Sequence, residues 1–205
     1  MLNKYEGRTY EEALQKCLRQ LELDETELYI DVKEKEPSDD NKNKIEITVL
    51  PKQDVIDYIK EIVQNIGNAF VSNITTKITD LEDVLNVSIY SDVNPILIGK
   101  DGKNLSAIQT IIKQAVFRKF NRSIKVSVDI ANYKNKKIKN LKYEVSKIAE
   151  EVLNSKIEAH LDPMNSYERR IVHTLVSEYK NLETISEGEE PNRYVVIKYK
   201  ETLDQ

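Results

Sequence analysis

Residues Pro95–Leu105 read PILIGKDGKNL. Apolar residues run into Gly99 and Gly102, with Lys100 and Asp101 between the glycines and Lys103 after them. The fold turns on whether this is a loop that grips a phosphate or a turn between two buried segments. A mononucleotide-binding loop requires G-x-x-x-x-G-K-[ST]. Here the glycines stand too close together, and Lys103 is followed by Asn104 rather than Ser or Thr. The dinucleotide fingerprint G-x-G-x-x-G fails as well. What remains is I-G-x-x-G, leading into a helix that carries Leu105, Ile108, Ile111, Ile112, Ala115 and Val116. Glycines let the backbone approach a ligand without a Cβ in the way. The following helix offers unpaired amides and the positive end of its dipole. Lys100 and Lys103 add charge, and Asp101 subtracts some.

To the N-terminal side of this loop, Val55, Tyr58, Ile59, Ile62, Val63 and Ile66 form the apolar stripe of a helix with Gly67 near its end. Alternating runs around Val71–Thr79 and Val84–Tyr90 predict two strands, and Ile124, Val126, Val128 and Ile130 a third. Residues 52–130 therefore read helix, strand, strand, short helix, glycine loop, helix, strand. Before them, LYIDVKE (Leu28–Glu34) and KIEITVL (Lys44–Leu50) alternate as half-buried strands do. Thr9 and Glu12 predict a capping box for a helix with Ala13, Leu14, Leu18 and Leu21 on its apolar side. The stretch EPSDDNKNK between the two strands is polar and glycine-free, an exposed connection. After residue 130, Ile138, Leu141, Val145, Ile148 and Val152 mark a long helix with one apolar seam. Asn165 and Glu168 predict a second capping box, EAHL a short strand, and NLETIS and RYVVIKY two more.

The net charge of −4 hides an asymmetry. Residues 1–51 carry net −5, whereas residues 113–142 hold ten Lys or Arg against Asp129 alone. A local excess of that size suits a phosphate-binding face; a solvated helix face is the bland alternative. The one cysteine, Cys17, lies at helical spacing with Ala13, Leu14 and Leu21 and reads as packing. It excludes an internal disulfide framework and suits a reducing compartment. No run approaches the length of a membrane span, and the N-terminus has no apolar signal core, so a cytoplasmic protein without membrane insertion is expected. Two histidines and one cysteine far apart give no metal-ligand spacing, and no catalytic triad or carboxylate pair stands out. No cofactor, metal or enzymatic activity is expected.

The element order and Ile98-Gly99-Lys100-Asp101-Gly102 together resemble a KH domain of the bacterial type, whose I-G-x-x-G loop clamps single-stranded RNA. Ile96, Ile98, Leu105 and Ile108 are candidates for its base-binding groove or, equally, core. Further on, in NSYERRIVHTLV, Arg169 and His173 are four apart and share one helix face. Such a pair can bring a guanidinium and an imidazole to one phosphate or sugar. The R-x3-H spacing is similar to a small single-stranded nucleic-acid-binding domain, and SEGEEPNRYVVIKY is similar to its closing loop and strand. Candidate contacts there are Arg169, Arg170, His173 and Arg193, with Lys134 and Lys137 from the basic helix. His173 among Ile171, Val172 and Leu175 equally fits a hydrogen-bonded residue packed on a sheet, and the arginines could pair with Glu168 or Glu187. His160 reads as structural.

LIGKDGK, MNSYERRIVH and SEGEEPNRYVVI, in this order, resemble the Jag (SpoIIIJ-associated) family of bacterial RNA-binding proteins over the whole chain. The resemblance implies an α+β fold of three small domains. Residues 1–51 would form a βαββ domain and 52–130 a type II KH domain of order αββααβ. Residues 131–205 would form an R-x3-H domain with a small antiparallel sheet and two helices. It also implies post-transcriptional control linked to cell-envelope growth or division, with a small stand-alone KH protein as partner. The family's first domain usually carries a basic, glycine-rich loop between its last two strands; EKEPSDDNKNK stands there instead. Three alternatives stay open: a homodimer, single-stranded DNA as target, and a protein-interaction scaffold docking through the acidic first domain.

Overall fold

Among the described residues, nine strands and six helices stand in the expected order, the first strand being one that only the resemblance implied. The computed structural model describes residues 3–35, 44–70, 72–81 and 83–201. The chain divides into two compact units, Met1–Ala131 and Asn132–Gln205. The connection Glu36–Asn43, and with it the departure from the family's glycine-rich loop, lies outside the described residues.

The first unit opens with β1 (Asn3–Gly7), α1 (Tyr10–Leu21), β2 (Leu28–Lys35) and β3 (Lys44–Pro51). The strands form an antiparallel sheet in the order β1-β3-β2. Ala13, Leu14 and Cys17 of α1 pack on Leu28, Ile47 and Val49. Cys17 is fully buried, and burial raises its thiol pKa. The expected capping box forms only in its forward arm. The Thr9 hydroxyl accepts from the Glu12 amide at 3.2 Å, but the Glu12 carboxylate accepts from the Arg8 amide at 2.9 Å.

Pro51 ends β3 and Lys52 begins α2 (Lys52–Ala69), so no spacer separates the first sheet from the next helix. Then come β4 (Ile74–Leu81), β5 (Val84–Ser91), α3 (Asn94–Ile98), α4 (Lys103–Phe120) and β6 (Lys125–Ile130). Strand order is β4-β5-β6, antiparallel between β4 and β5 and parallel between β5 and β6. Leu85, Val87 and Ile89 of the central strand are buried. The helices contribute Val55, Ile59 and Val63 from α2 and Leu105, Ile108, Ile112 and Val116 from α4 to the buried set. Strand β4 begins later than alternation suggests, because the Ser72 amide still donates to Gly67 O at 3.1 Å, at the end of α2. A Cβ on Gly67 would stand 3.0 Å from Ile74 Cδ1.

Tyr29 of β2 ties the first sheet to the elements after it. The Arg122 guanidinium and the Lys52 ammonium lie 5.2 and 5.5 Å from its ring centroid. Arg122 Nη1 also pairs with Asp31 Oδ2 at 2.6 Å, and Lys52 with Asp80 at 2.7 Å. Burial, helped by the charge of Asp80, pushes the Tyr29 phenol up to about 12. Among the described residues its hydroxyl is the buried side-chain polar atom that lacks a hydrogen-bond partner.

The second unit comprises α5 (Tyr133–Ser155), β7 (Ala159–His160), α6 (Ser166–Val176), β8 (Leu182–Glu187) and β9 (Tyr194–Tyr199). Its antiparallel sheet runs β7-β9-β8. Val145, Ala149 and Val152 of α5 and Val172 and Val176 of α6 pack on Leu182, Val195 and Ile197. No helix among the described residues is long and apolar enough to cross a membrane.

An unpaired buried hydroxyl costs about 1–3 kcal/mol of desolvation, while phenylalanine keeps the cation–π contacts. Tyr29→Phe is therefore expected to leave stability unchanged or raise it by about 1 kcal/mol. Equilibrium denaturant unfolding measures this, and a loss of stability would show that the hydroxyl has a partner.

Candidate nucleic-acid interface

The glycine loop takes its shape from a run of left-handed backbone. Gly99 has φ 70° and ψ 179°, Asp101 φ 56° and ψ 17°, and Gly102 φ 84° and ψ 17°. Glycine reaches these angles freely, and Asp and Asn do so more readily than most other residues. Asp101, which reads as a liability from its charge, is thus a residue type suited to its backbone. The Gly99 amide donates to Pro95 O at 2.9 Å and closes α3. Asn104 braces the turn from beneath: its Nδ2 donates to Ile96 O at 2.8 Å. A Cβ on Gly99 would meet Asn104 Cγ at 2.6 Å. Sequence reasoning used Asn104 only to reject a nucleotide loop and missed this role.

The other end of α3 is fixed by a polar knot. Ser72 hydrogen-bonds Ser91 and Asp92, and the Ser91 amide donates to Asn94 Oδ1 at 2.9 Å. Hydrogen bonds to its carboxylate, that from Ser72 first and then that from Ser91, lower the pKa of Asp92. The N-cap of α4 is Gly102, a residue with no side chain to cap the helix. Lys100, Asp101 and Lys103 are exposed, Ile98 and Gly99 half-buried and Gly102 buried. Of the four groove candidates, Leu105 and Ile108 belong to the core, at 4% and 8% exposure, whereas Ile96 is 54% exposed.

In the second unit, the capping box at α6 forms in both arms, between Asn165 and Glu168. Lys137 reaches the same carboxylate, 2.7 Å from Glu168 Oε1, and so holds α5 to the start of α6. Arg169 and His173 share a face, as their spacing predicts. Arg169 is buried, however, and its Nη1 donates to Met164 O and Glu190 Oε1, both at 2.8 Å. Its carboxylate partner is thus Glu190, neither of the two that sequence suggested. The His173 ring is held from both sides, Nδ1 by Thr184 Oγ1 at 2.6 Å and Nε2 by Ser186 Oγ at 2.8 Å. Burial lowers its pKa, and the Arg169 charge lowers it further. In the neutral ring one nitrogen donates and the other accepts, which the two hydroxyls can satisfy.

Arg170, Arg193 and Lys134 are exposed, and the Arg193 carbonyl accepts from the Met164 amide at 3.0 Å. Thr184 went unread in the sequence, and Ser186 and Glu190 were read only as part of the closing SEGEEPNRYVVIKY, not as partners of the Arg–His pair. Only the alternation of β8 could have signalled that Thr184 and Ser186 share the face turned to α6. His160, by contrast, is exposed, 3.2 Å from Glu158 Oε1, with its ring 5.8 Å from that of Tyr194. Among the described residues no group of three or more His, Cys, Asp or Glu could hold a metal ion.

Comparison with known proteins agrees with both motifs. Residues 56–130 match the family described as KhpA/KhpB, KH domain, and residues 139–199 match the domain family named for its R-x3-H motif. RNA-binding protein KhpB of Clostridium symbiosum is 31% identical over 200 residues, covering 95% of this chain and 90% of that protein. The chain belongs to the KhpB/Jag family. The KhpB of Bacillus subtilis (strain 168) is likewise 31% identical over 204 residues, 95% of this chain and 96% of its own length. That of Streptococcus pneumoniae serotype 2 (strain D39) matches over 113 residues, 55% of this chain and 34% of its own, at the same identity. For a KhpB-family chain, what stands out is how firmly the Arg–His pair is tied into its own fold.

His173 binds a proton less readily when folded than when unfolded, so the unfolded state gains protons first as pH falls through the ordinary histidine value of about 6.5. Its contribution to stability is complete above that value and is lost below it. Thermal unfolding followed by circular dichroism at pH 7.5 and 5.5 should show a drop in Tm that shrinks in His173→Gln. An identical drop in both proteins would refute the assignment.

Proposed function

We propose that this chain is a cytoplasmic, non-enzymatic, single-stranded RNA-binding protein. Residues 52–130 act as a KH module and 131–205 as an R-x3-H module behind a small domain of residues 1–51. The observation that carries this reading is the GKDG loop. Its three left-handed residues turn the chain into the start of α4, whose N-cap is a glycine with no side chain to offer, and exposed Lys100 and Lys103 stand on either side of that start. An uncapped helix N-terminus offers amides to phosphate oxygens, and the lysines neutralise charge there. Ile98 and exposed Ile96 supply apolar surface beside the loop.

In the second module Arg170, Arg193 and Lys134 supply exposed positive charge. Arg169, His173 and Lys137 act mainly by holding the α6 surface in shape, and Arg169 adds its charge to the site from below. The names of the relatives, RNA-binding proteins, support the same reading. Family membership further supports post-transcriptional control tied to cell-envelope growth or division, with a stand-alone KH protein as partner. Linking two weak modules raises their effective concentration on one strand by mass action.

Fluorescence anisotropy with a labelled single-stranded RNA pool, at about 50 and 200 mM salt, tests the reading. Binding should weaken steeply with salt. Removing a phosphate-contacting charge, as in Lys100→Gln or Lys103→Gln, should reduce the log–log slope by about 0.7. Gly102→Asp should lose at least about tenfold, since it puts a side chain and a negative charge at a φ of 84°. Asp101→Asn tolerates the same backbone without the charge and should bind a few-fold more tightly. Absence of wild-type binding at low salt would sink the proposal, and equal affinity for matched DNA would widen the target to any single strand.

A further inference from the structure

Helix α5 carries positive charge that its dipole does not favour. Val145, Ala149 and Val152 turn one face to the core, with Leu141 and Ile148 beside them. The helix has no acidic residue in its first turn, where Lys134 and Lys136 stand instead, with Lys137 next. Positive charge at a helix N-terminus opposes the macrodipole and weakens the helix. From Tyr133 to Lys147 there are six lysines against Glu144 alone. Lys137 is accounted for by Glu168.

The face turned away from the core has an order of its own. Steps of three and four residues place Lys136, Lys139, Tyr143 and Lys147 in one stripe, and all four are exposed. Tyr143 is 63% exposed, with the Lys147 ammonium 4.6 Å from its ring centroid. A tyrosine left this open contributes little to the core. Successive members of the stripe stand about one turn apart, about 4.5–6 Å along the axis. An aromatic ring between lysines is the combination that binds a single strand without reading its sequence: phosphates track the charges, and a base stacks on the ring.

We infer that the stripe Lys136–Lys139–Tyr143–Lys147 is a further contact for single-stranded RNA, lying outside both the glycine loop and the Arg–His pair. Tyr143 stacks on one base, and the lysines on either side bracket the adjoining phosphates. The inference rests on the reading of the chain as a single-stranded RNA binder and adds a surface that neither motif contains. An acidic protein segment would satisfy the lysines but would leave the ring unused, which is why the nucleic acid is favoured.

The chain has no tryptophan, so Tyr143→Trp in the full-length protein places a lone reporter on the stripe. Its emission should be quenched as an unlabelled single-stranded RNA saturates binding, and an abasic oligonucleotide of equal length should leave it unchanged. Tyr143→Ala should weaken anisotropy-measured binding about 5- to 100-fold, while Tyr143→Phe should bind as the wild type does. Flat emission at RNA concentrations that saturate anisotropy, or an unaltered Kd for Tyr143→Ala, would overturn the inference and leave the RNA-binding reading standing. Equal quenching by polyglutamate would also overturn it, by marking a surface for acidic polymers in general. No binding by the wild type at any salt would remove the underlying reading and this inference with it.

Discussion

Strand β6 runs parallel to β5, and that choice of direction organises the first unit. Antiparallel neighbours can be joined by a tight turn, but a parallel pair needs the chain to travel back over the sheet before it can pair. Here the return journey is α3, the glycine loop and α4. The loop therefore lies within an obligatory crossover, beyond the end of the central strand, held at one side by the Ser72–Ser91–Asp92 knot and at the other by Asn104. Such a place keeps the loop's backbone oriented by the helices packed beside it.

Much of this architecture was legible in the sequence because apolar periodicity reports directly on which face is buried. The seam Leu141, Val145, Ile148, Val152 and the alternation of Val126, Val128 and Ile130 both pointed to their true elements. Polar side chains were harder, since their partners come from distant parts of the chain. Nothing near Arg169 in sequence reveals that Glu190 will meet its guanidinium, and nothing near Tyr29 reveals Arg122. The Thr9 box shows the same limit at short range: the spacing was right, yet the Glu12 carboxylate found the neighbouring amide. Leu105 and Ile108 could be placed in groove or core only once α4 was docked. Asp101 misleads when read as charge alone, because its backbone angle is invisible until the loop is built.

The basic run between residues 113 and 142 illustrates how charge count and charge function diverge. Lys119 lies 3.8 Å from the Tyr58 ring centroid, Arg122 is committed to Tyr29 and Asp31, and Lys137 to Glu168. These three cations hold elements together, whereas Lys136 and Lys139 stand outward on α5. A count of positive charge along the chain thus overstates the surface offered to a polyanion, and sorting each cation by its neighbours gives the more useful map.

The direct passage from Pro51 into α2 also bears on how the protein can be dissected. Removing the first fifty-one residues would not trim an appendage. It would take the Tyr29 ring from between Lys52 and Arg122 and the Asp31 carboxylate from Arg122, leaving Arg122 newly bared and Lys52 with Asp80 alone. Taking net −5 from a chain of net −4 also leaves a fragment of net +1. With part of its positive charge freshly uncovered, it would cling to polyanions for reasons the whole protein does not share. Affinities measured on it would describe the cut as much as the domain.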